Sequence, residues 1–126
     1  MFDHVILAVR DLERSVTFFK RTLAPLGITN FVTYEGHANH ASLRGFGDDE
    51  ERYLLLKKGK PNPAAVHLAF AAKSKKAVNA FYAEAMAVGG RDNGPPGPRP
   101  AYFPGYYAAY VLDPDGYNIE AVYQKR

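Results

Sequence analysis

Laid over itself with a shift of 63 residues, the chain repeats: His4 falls on His67, Asp11 on Ser74, Phe18 on Phe81, Phe19 on Tyr82, Leu23 on Met86 and Gly27 on Gly90. A self-match at fixed period marks one supersecondary unit used twice. Whatever the first half forms, the second half is therefore expected to form again. In the first half, His4-Val5-Ile6-Leu7-Ala8-Val9 is a short apolar, β-compatible run, and Asp11 stands where a helix N-cap belongs. Leu12, Val16, Phe19, Leu23 and Leu26 recur at three- and four-residue steps, one buried helical stripe, and Pro25 and Gly27 close it. Three β-rich pieces follow, Ile28 to Tyr34, Ala38 to Leu43 and Arg52 to Lys57, separated by Gly36-His37 and by a polar turn from Arg44 to Glu51.

The first module, about residues 1–58, thus reads βαβββ. Gly59-Lys60-Pro61-Asn62-Pro63, with two prolines, serves as a linker over about 59–64. From about 65 to 126 the pattern restarts: strand Ala65 to Ala72, N-cap Ser74, and a stripe of Val78, Phe81, Tyr82, Ala85 and Met86, ended by Gly89-Gly90. Gly94-Pro95-Pro96-Gly97-Pro98-Arg99-Pro100 forbids a central strand and predicts a fixed irregular loop. Tyr106 to Leu112 and Tyr117 to Tyr123 read as strands joined by the turn Asp113-Pro114-Asp115-Gly116. The expectation is a single α+β domain over 1–126.

With 126 residues, a packed core needs no staples, and with no cysteine, disulfides, thiolate nucleophiles and cysteine metal sites are excluded. That leaves imidazole, carboxylate and hydroxyl groups for chemistry. Met1 leads straight into the first strand without a signal-peptide pattern, and the longest apolar stretches are far too short to span a bilayer. A soluble, cytoplasmic protein with no membrane partner is expected. The net charge of +3 comes from dispersed Lys and Arg with small clusters at Lys57 to Lys60 and Lys73 to Lys76, a solvated pattern rather than a nucleic-acid face. A small molecule, an anionic one in particular, is the expected partner.

His4, His67 and Glu120 are polar groups set in largely apolar β-runs. Such groups are costly to bury unless paired or coordinated, and two imidazoles with one carboxylate suit a divalent first-row metal with open positions. The plainer reading, surface or hydrogen-bonded side chains near strand ends, fits each of them singly. His37 and His40, at or just after a turn, read as loop-surface groups. Tyr34, Tyr53, Tyr102, Phe103, Tyr106 and Tyr107 suit either a pocket wall or the core and sheet surface. Arg99, in the stiff Gly/Pro passage, is exposed or clamps a carboxylate or phosphate. Arg99, Tyr106 and Tyr107 are the substrate-binding candidates; no catalytic base is marked, a tyrosine, His40 or a metal-bound hydroxide being open choices.

The segment from His4 through Arg10-Asp11-Leu12-Glu13-Arg14-Ser15 to Phe18-Phe19 resembles the first strand and helix of the vicinal oxygen chelate superfamily, which holds glyoxalases, extradiol dioxygenases and bleomycin-resistance proteins. Val66-His67-Leu68-Ala69-Phe70 resembles the first strand of the second module, and Asp113 to Glu120 the closing turn and strand. Gly90 to Gly94 and Tyr106 to Tyr110 resemble the glyoxalase/bleomycin-resistance branch in particular. The resemblance implies paired βαβββ modules curled as an open mixed sheet around a cavity. It also implies a divalent ion (zinc, nickel, manganese, iron or cobalt) on His4, His67 and Glu120, and a cavity closed within a chain or between chains. The repeat itself leads to a homodimer, since two half-cups each leave an apolar sheet face and open edges for a second chain to cover. The implied activity is a glyoxalase-like metal-dependent lyase or isomerase acting on a small oxygen-rich molecule. The alternatives are a metal-free binding protein of the bleomycin-resistance type and an extradiol-type dioxygenase. One departure stands out: the ungapped repeat sets Lys57 opposite Glu120, where glyoxalases carry a fourth ligand, and an ammonium has no lone pair to give. Glu51 precedes that strand and serves only if the strand boundary differs.

Overall fold

A computed structural model describes residues 1–39 and 41–125, so His40 lies outside the described residues. The first module runs β1 (Val5–Val9), α1 (Leu12–Leu23), β2 (Asn30–Tyr34), β3 (Leu43–Gly47) and β4 (Arg52–Lys58). The second runs β5 (His67–Ala71), α2 (Lys75–Ala87), β6 (Arg91–Asp92), β7 (Gly97–Pro98), β8 (Tyr106–Leu112) and β9 (Asn118–Gln124). The α+β class is as the repeat requires, and the second module repeats the order of the first with one addition, the two-residue β7 inside the Gly/Pro passage expected as an irregular loop. The strands form two mixed sheets, ordered β1-β4-β3-β2 and β5-β9-β8-β6, with β7 pairing β8 outside that path. In each, the first strand pairs in parallel with the last, and the remaining pairs are antiparallel. Among the described residues no helix is long and apolar enough to cross a membrane.

Both helices begin where the sequence places a cap. Asp11 Oδ1 accepts the Arg14 N–H at 3.1 Å, and Ser74 Oγ accepts the Ala77 N–H at 3.0 Å, each satisfying an orphan donor of the first turn. Each helix covers one face of its own sheet, and α1 packs on α2. Phe18, Phe19, Phe46, Leu54 and Leu56 from the first half and Val78, Phe81, Val111, Ile119 and Ala121 from the second form one continuous buried cluster. Equivalent residues of the two copies also touch: Arg21 Nη2 lies 2.6 Å from Glu84 Oε2, and 84 is 21 shifted by the repeat.

Two expectations need correction. The third strand was expected at Ala38 to Leu43 with a turn from Arg44, but β3 occupies Leu43–Gly47. Its glycines are strand residues at close approaches rather than turn residues: a Cβ on Gly45 would meet Leu55 Cδ2 at 2.9 Å, and one on Gly47 the Glu51 carbonyl oxygen at 1.8 Å. Between them Phe46 points into the core, 6.1 Å from Phe19 and 5.2 Å from Phe31 by ring centroids.

The second correction concerns Lys57. Ile6 pairs with Leu55 in β1·β4, while Ala69, which is Ile6 shifted by 63, pairs with Glu120. The counterpart of Glu120 is therefore Leu55, and the repeat shift has grown to 65 by the closing hairpin. The turns agree, because Asp48 Oδ1 accepts the N–H groups of Glu50 and Glu51, and Asp113 Oδ1 those of Asp115 and Tyr117. The second module holds two extra residues between helix and hairpin, and an ungapped overlay cannot see them.

The closing turn of the second module is tied to the first. Asp115, its side chain fully buried, accepts the Arg10 N–H at 3.4 Å, Arg14 Nη2 at 3.3 Å and Ser15 Oγ at 3.5 Å. Tyr117 donates its hydroxyl to the Ala8 carbonyl at 2.6 Å and accepts the Asn62 N–H at 3.1 Å. Asp115→Ala removes charge-assisted bonds that join the halves. It should lower stability by about 2 kcal/mol, seen as a lower urea midpoint at unchanged slope.

Asp113 beside it has a buried Oδ2 with no hydrogen-bond partner among the described residues, and burial pushes its carboxyl up to about 6 from 3.8. The folded state therefore favours the neutral acid: this contribution is full below about pH 4 and is lost as the pH rises through 6. Asp113→Asn should remove that component from thermal unfolding curves recorded between pH 4 and 7.

Candidate functional site

The face of the second sheet turned away from α2 carries the candidate chemistry. Strand alternation and register place His67 and Ala69 of β5, Asn118, Glu120 and Val122 of β9, and Tyr106, Ala108 and Tyr110 of β8 on that face. His67 Nε2 lies 2.9 Å from Glu120 Oε1, and His67 Nδ1 lies 3.2 Å from the Asn118 carbonyl oxygen. Glu120 is 3% exposed, and its other oxygen, Oε2, accepts the Tyr106 hydroxyl. The Tyr110 ring stacks near the His67 imidazole, centroids 6.2 Å apart.

Around this pair stand aromatics supplied by the Gly/Pro passage and the turn after it. Tyr102 and Phe103 meet the Tyr106 ring edge-on at 5.1 and 5.6 Å, and both are substantially exposed. Arg99 lies over the Tyr110 ring at 5.5 Å, its guanidinium donating to the Pro95 carbonyl at 2.6 Å and the Pro98 carbonyl at 3.2 Å. Burial, then its bond to Glu120, pushes the Tyr106 phenol up to about 12. Burial and the Glu120 charge push Tyr110 upward as well. Both stay protonated at neutral pH and act as hydrogen-bond donors.

Whether these residues suit a metal ion turns on which atoms they leave free. A metal-binding histidine has its second ring nitrogen tied to a carbonyl or carboxylate. Both candidates do: His67 Nδ1 faces the Asn118 carbonyl, and His4 Nδ1 lies 2.7 Å from Asp3 Oδ1. That leaves Nε2 as the ligand atom of each, facing Glu120 Oε1 in His67 and without a partner among the described residues in His4. Two ligand atoms each about 2.1 Å from a first-row ion and at right angles to one another lie about 3 Å apart, which the His67–Glu120 pair matches. His67 and Glu120 therefore fit a metal ion as two of its ligands.

His4 is not with them. It stands before β1, half-exposed, in a cleft lined also by Phe2, Tyr53, Leu68 and Phe70. Among the described residues no three His, Asp or Glu side chains cluster so as to hold an ion within the chain. Leu55 occupies the fourth position, Lys57 is exposed farther along the strand, and Glu51 sits in the turn capped by Asp48. Tyr107 alternates to the helix side of β8, where its hydroxyl bonds Asn79 Oδ1 at 2.7 Å, so it does not share the site with Arg99 and Tyr106. His37, between β2 and β3, is exposed. The sequence reading missed Tyr110, although it shares strand parity with Tyr106, and Asp3, although it precedes His4.

The family model of the Glyoxalase/Bleomycin resistance protein/Dioxygenase superfamily matches residues 1–121. The chain belongs to that superfamily. Among solved structures it is similar to a glyoxalase/bleomycin resistance protein from Albidiferax ferrireducens, with 30% identity, a TM-score of 0.82 and coverage of 99% of both chains. The genomically encoded fosfomycin resistance protein FosX from Listeria monocytogenes shares the fold at 19% identity and a TM-score of 0.68, over 99% of this chain and 93% of that one. A glyoxalase I variant from Zea mays does so at 24% identity and a TM-score of 0.68, over 94% of this chain and 44% of that one. None of the curated proteins matches the chain.

The tyrosine environment makes a measurable claim. Tyr106 ionises near pH 12 in the folded protein against 10.0 for an unperturbed phenol. The stabilisation tied to its neutral form is complete below about pH 10 and is lost as the pH rises through 12. In a phenolate absorbance titration of the native protein, Tyr106→Phe should remove one high-pH step and leave the lower ones in place.

Proposed function

We propose that this superfamily member is a divalent-metal-dependent lyase or isomerase acting on a small oxygen-rich molecule. The observation that carries the reading is the convergence of His67 Nε2 and Glu120 Oε1 at 2.9 Å, with the far side of the imidazole held by the Asn118 carbonyl. A bound divalent ion supplies Lewis-acid polarisation of substrate oxygens. The chain's own groups supply the rest. Tyr110, protonated at neutral pH, offers a hydroxyl, Tyr106 donates its own to Glu120, Tyr102 and Phe103 form an apolar wall, and Arg99 holds a positive charge at its edge.

The third ligand in this reading is His4 of a second copy. Two observations support an assembly between chains. The halves of one chain meet through α1, α2, the turn at Ala24–Leu26 and the ties from Asp115 and Tyr117, and neither sheet continues into the other. The site-bearing sheet face therefore stays open within a chain, as does the face that carries His4 and the half-exposed Ile6. The reading therefore takes a homodimer with two shared sites, in which the His4 Nε2 of each copy meets the His67–Glu120 pair of the other.

A metal-free binding protein is the second reading, favoured by the aromatic wall of Tyr102, Phe103 and Tyr106, which offers an apolar surface without any ion. Element analysis after divalent-metal supplementation separates the two, since stoichiometric metal belongs only to the first. His67→Ala and Glu120→Gln should each weaken metal affinity tenfold or more, because even residues that only support a ligand cost about that much. Mixing His4→Ala protein with Glu120→Ala protein tests the shared site: recovery of one metal per mixed dimer is expected. No recovery, or a protein that stays monomeric at micromolar concentration, removes the shared arrangement.

A further inference from the structure

Glu120 has two carboxylate oxygens, and the fold commits them to different tasks. Oε1 faces His67 Nε2 at 2.9 Å, while Oε2 accepts the Tyr106 hydroxyl. Tyr106 is not the residue opposite Glu120 in the ladder, which is Tyr110; it pairs with Gln124, four residues along. Its phenol runs back along the sheet to reach Oε2. The residue between the two tyrosines on this face is Ala108, fully buried and with no side chain beyond Cβ to obstruct that path.

The ring is held in place by the turn that leads into β8. Tyr102 and Phe103 pack edge-on against it, and the chain enters β8 through a turn in which Tyr102 N–H bonds the Arg99 carbonyl at 3.1 Å and Tyr106 N–H the Phe103 carbonyl at 3.2 Å. The Arg99 N–H bonds the Tyr106 carbonyl at 2.7 Å, which closes the turn on itself. Gly105, at φ 83°, takes the left-handed step that brings the strand around. The phenol is therefore aimed at Oε2 before any ligand arrives, and a phenol donating to one carboxylate oxygen draws its charge away from a metal.

We propose that Tyr106 is a positioning residue that confines Glu120 to coordination through the single oxygen Oε1, so that the ion keeps an additional position for the substrate's oxygens. This rests on the metal reading above. A carboxylate released from Tyr106 is free to turn both oxygens to the ion and take up a position that substrate needs. Tyr107, adjacent in sequence but on the opposite face, has no part in this and serves as the control.

The test uses Co2+ as probe with the full-length protein, its Tyr106→Phe and Tyr107→Phe variants, and visible absorption as readout. Tyr106→Phe should bind Co2+ with about tenfold altered affinity. Its visible bands should weaken as the second carboxylate oxygen joins and the coordination number rises, while Tyr107→Phe matches the wild type. Infrared difference spectra of the wild type on Co2+ binding test the same point without a variant. A wide separation of the carboxylate stretches, absent in Glu120→Gln, marks one-oxygen coordination, and a narrow one overturns the proposal. Identical cobalt spectra and affinities for wild type and Tyr106→Phe overturn it as well, with the metal reading left standing. A wild-type protein that takes up no Co2+ overturns both.

Discussion

The packing of α1 on α2 is the contact on which the other features depend. Each sheet buries one face beneath its own helix, and the two helices then bury against each other, so Phe18, Phe19 and Phe81 share one core. That arrangement uses up the helix-facing side of both sheets and leaves the opposite sides free. A chain that joined its halves edge to edge, strand to strand, would make one long sheet; here the halves are joined through helices and the sheets stay separate. The position of the candidate site, on an open face of β5, β8 and β9, follows from that choice rather than from the site residues themselves.

A second set of contacts fixes how the halves sit. The Asp113-Pro114-Asp115-Gly116 turn, readable from sequence as a turn alone, inserts Asp115 among Arg10, Arg14 and Ser15 at the start of α1, and Tyr117 reaches the Ala8 carbonyl. The turn thus acts twice. It aims β9, and with it Glu120, while its side chains lock the second module to the first. A residue chosen for such a double duty looks in sequence like ordinary turn chemistry, because the partner lies about 100 positions away.

Much of the fold was legible because it is written twice. The caps at Asp11 and Ser74, both helical stripes and the closing hairpin follow from local pattern, and the repeat confirmed each by the other. What misled was local as well: Gly45 and Gly47 resemble turn residues, and only the close approach of Leu55 and the Glu51 carbonyl shows why a strand needs them. The two residues gained before the second hairpin spoiled the ungapped overlay at the one position where it was asked to identify a ligand, giving Lys57 instead of Leu55. For the site, His67 and Glu120 stood out as polar groups in apolar strands. The Tyr106 and Tyr110 contacts depend on cross-strand register, which no single strand reveals, and the separation of His4 from the pair depends on how whole modules pack.

The contact between Arg21 and Glu84 joins residues at equivalent positions of the two copies, so it sits where the copies face each other across their common axis. Identical modules meeting there would set arginine against arginine or glutamate against glutamate. Opposite charges at that place mean that each half now matches the other half better than it matches itself. A lone first module, offered another of its own kind, would meet like charge at this exposed position, a small penalty at the surface, whereas the fused pair satisfies both side chains.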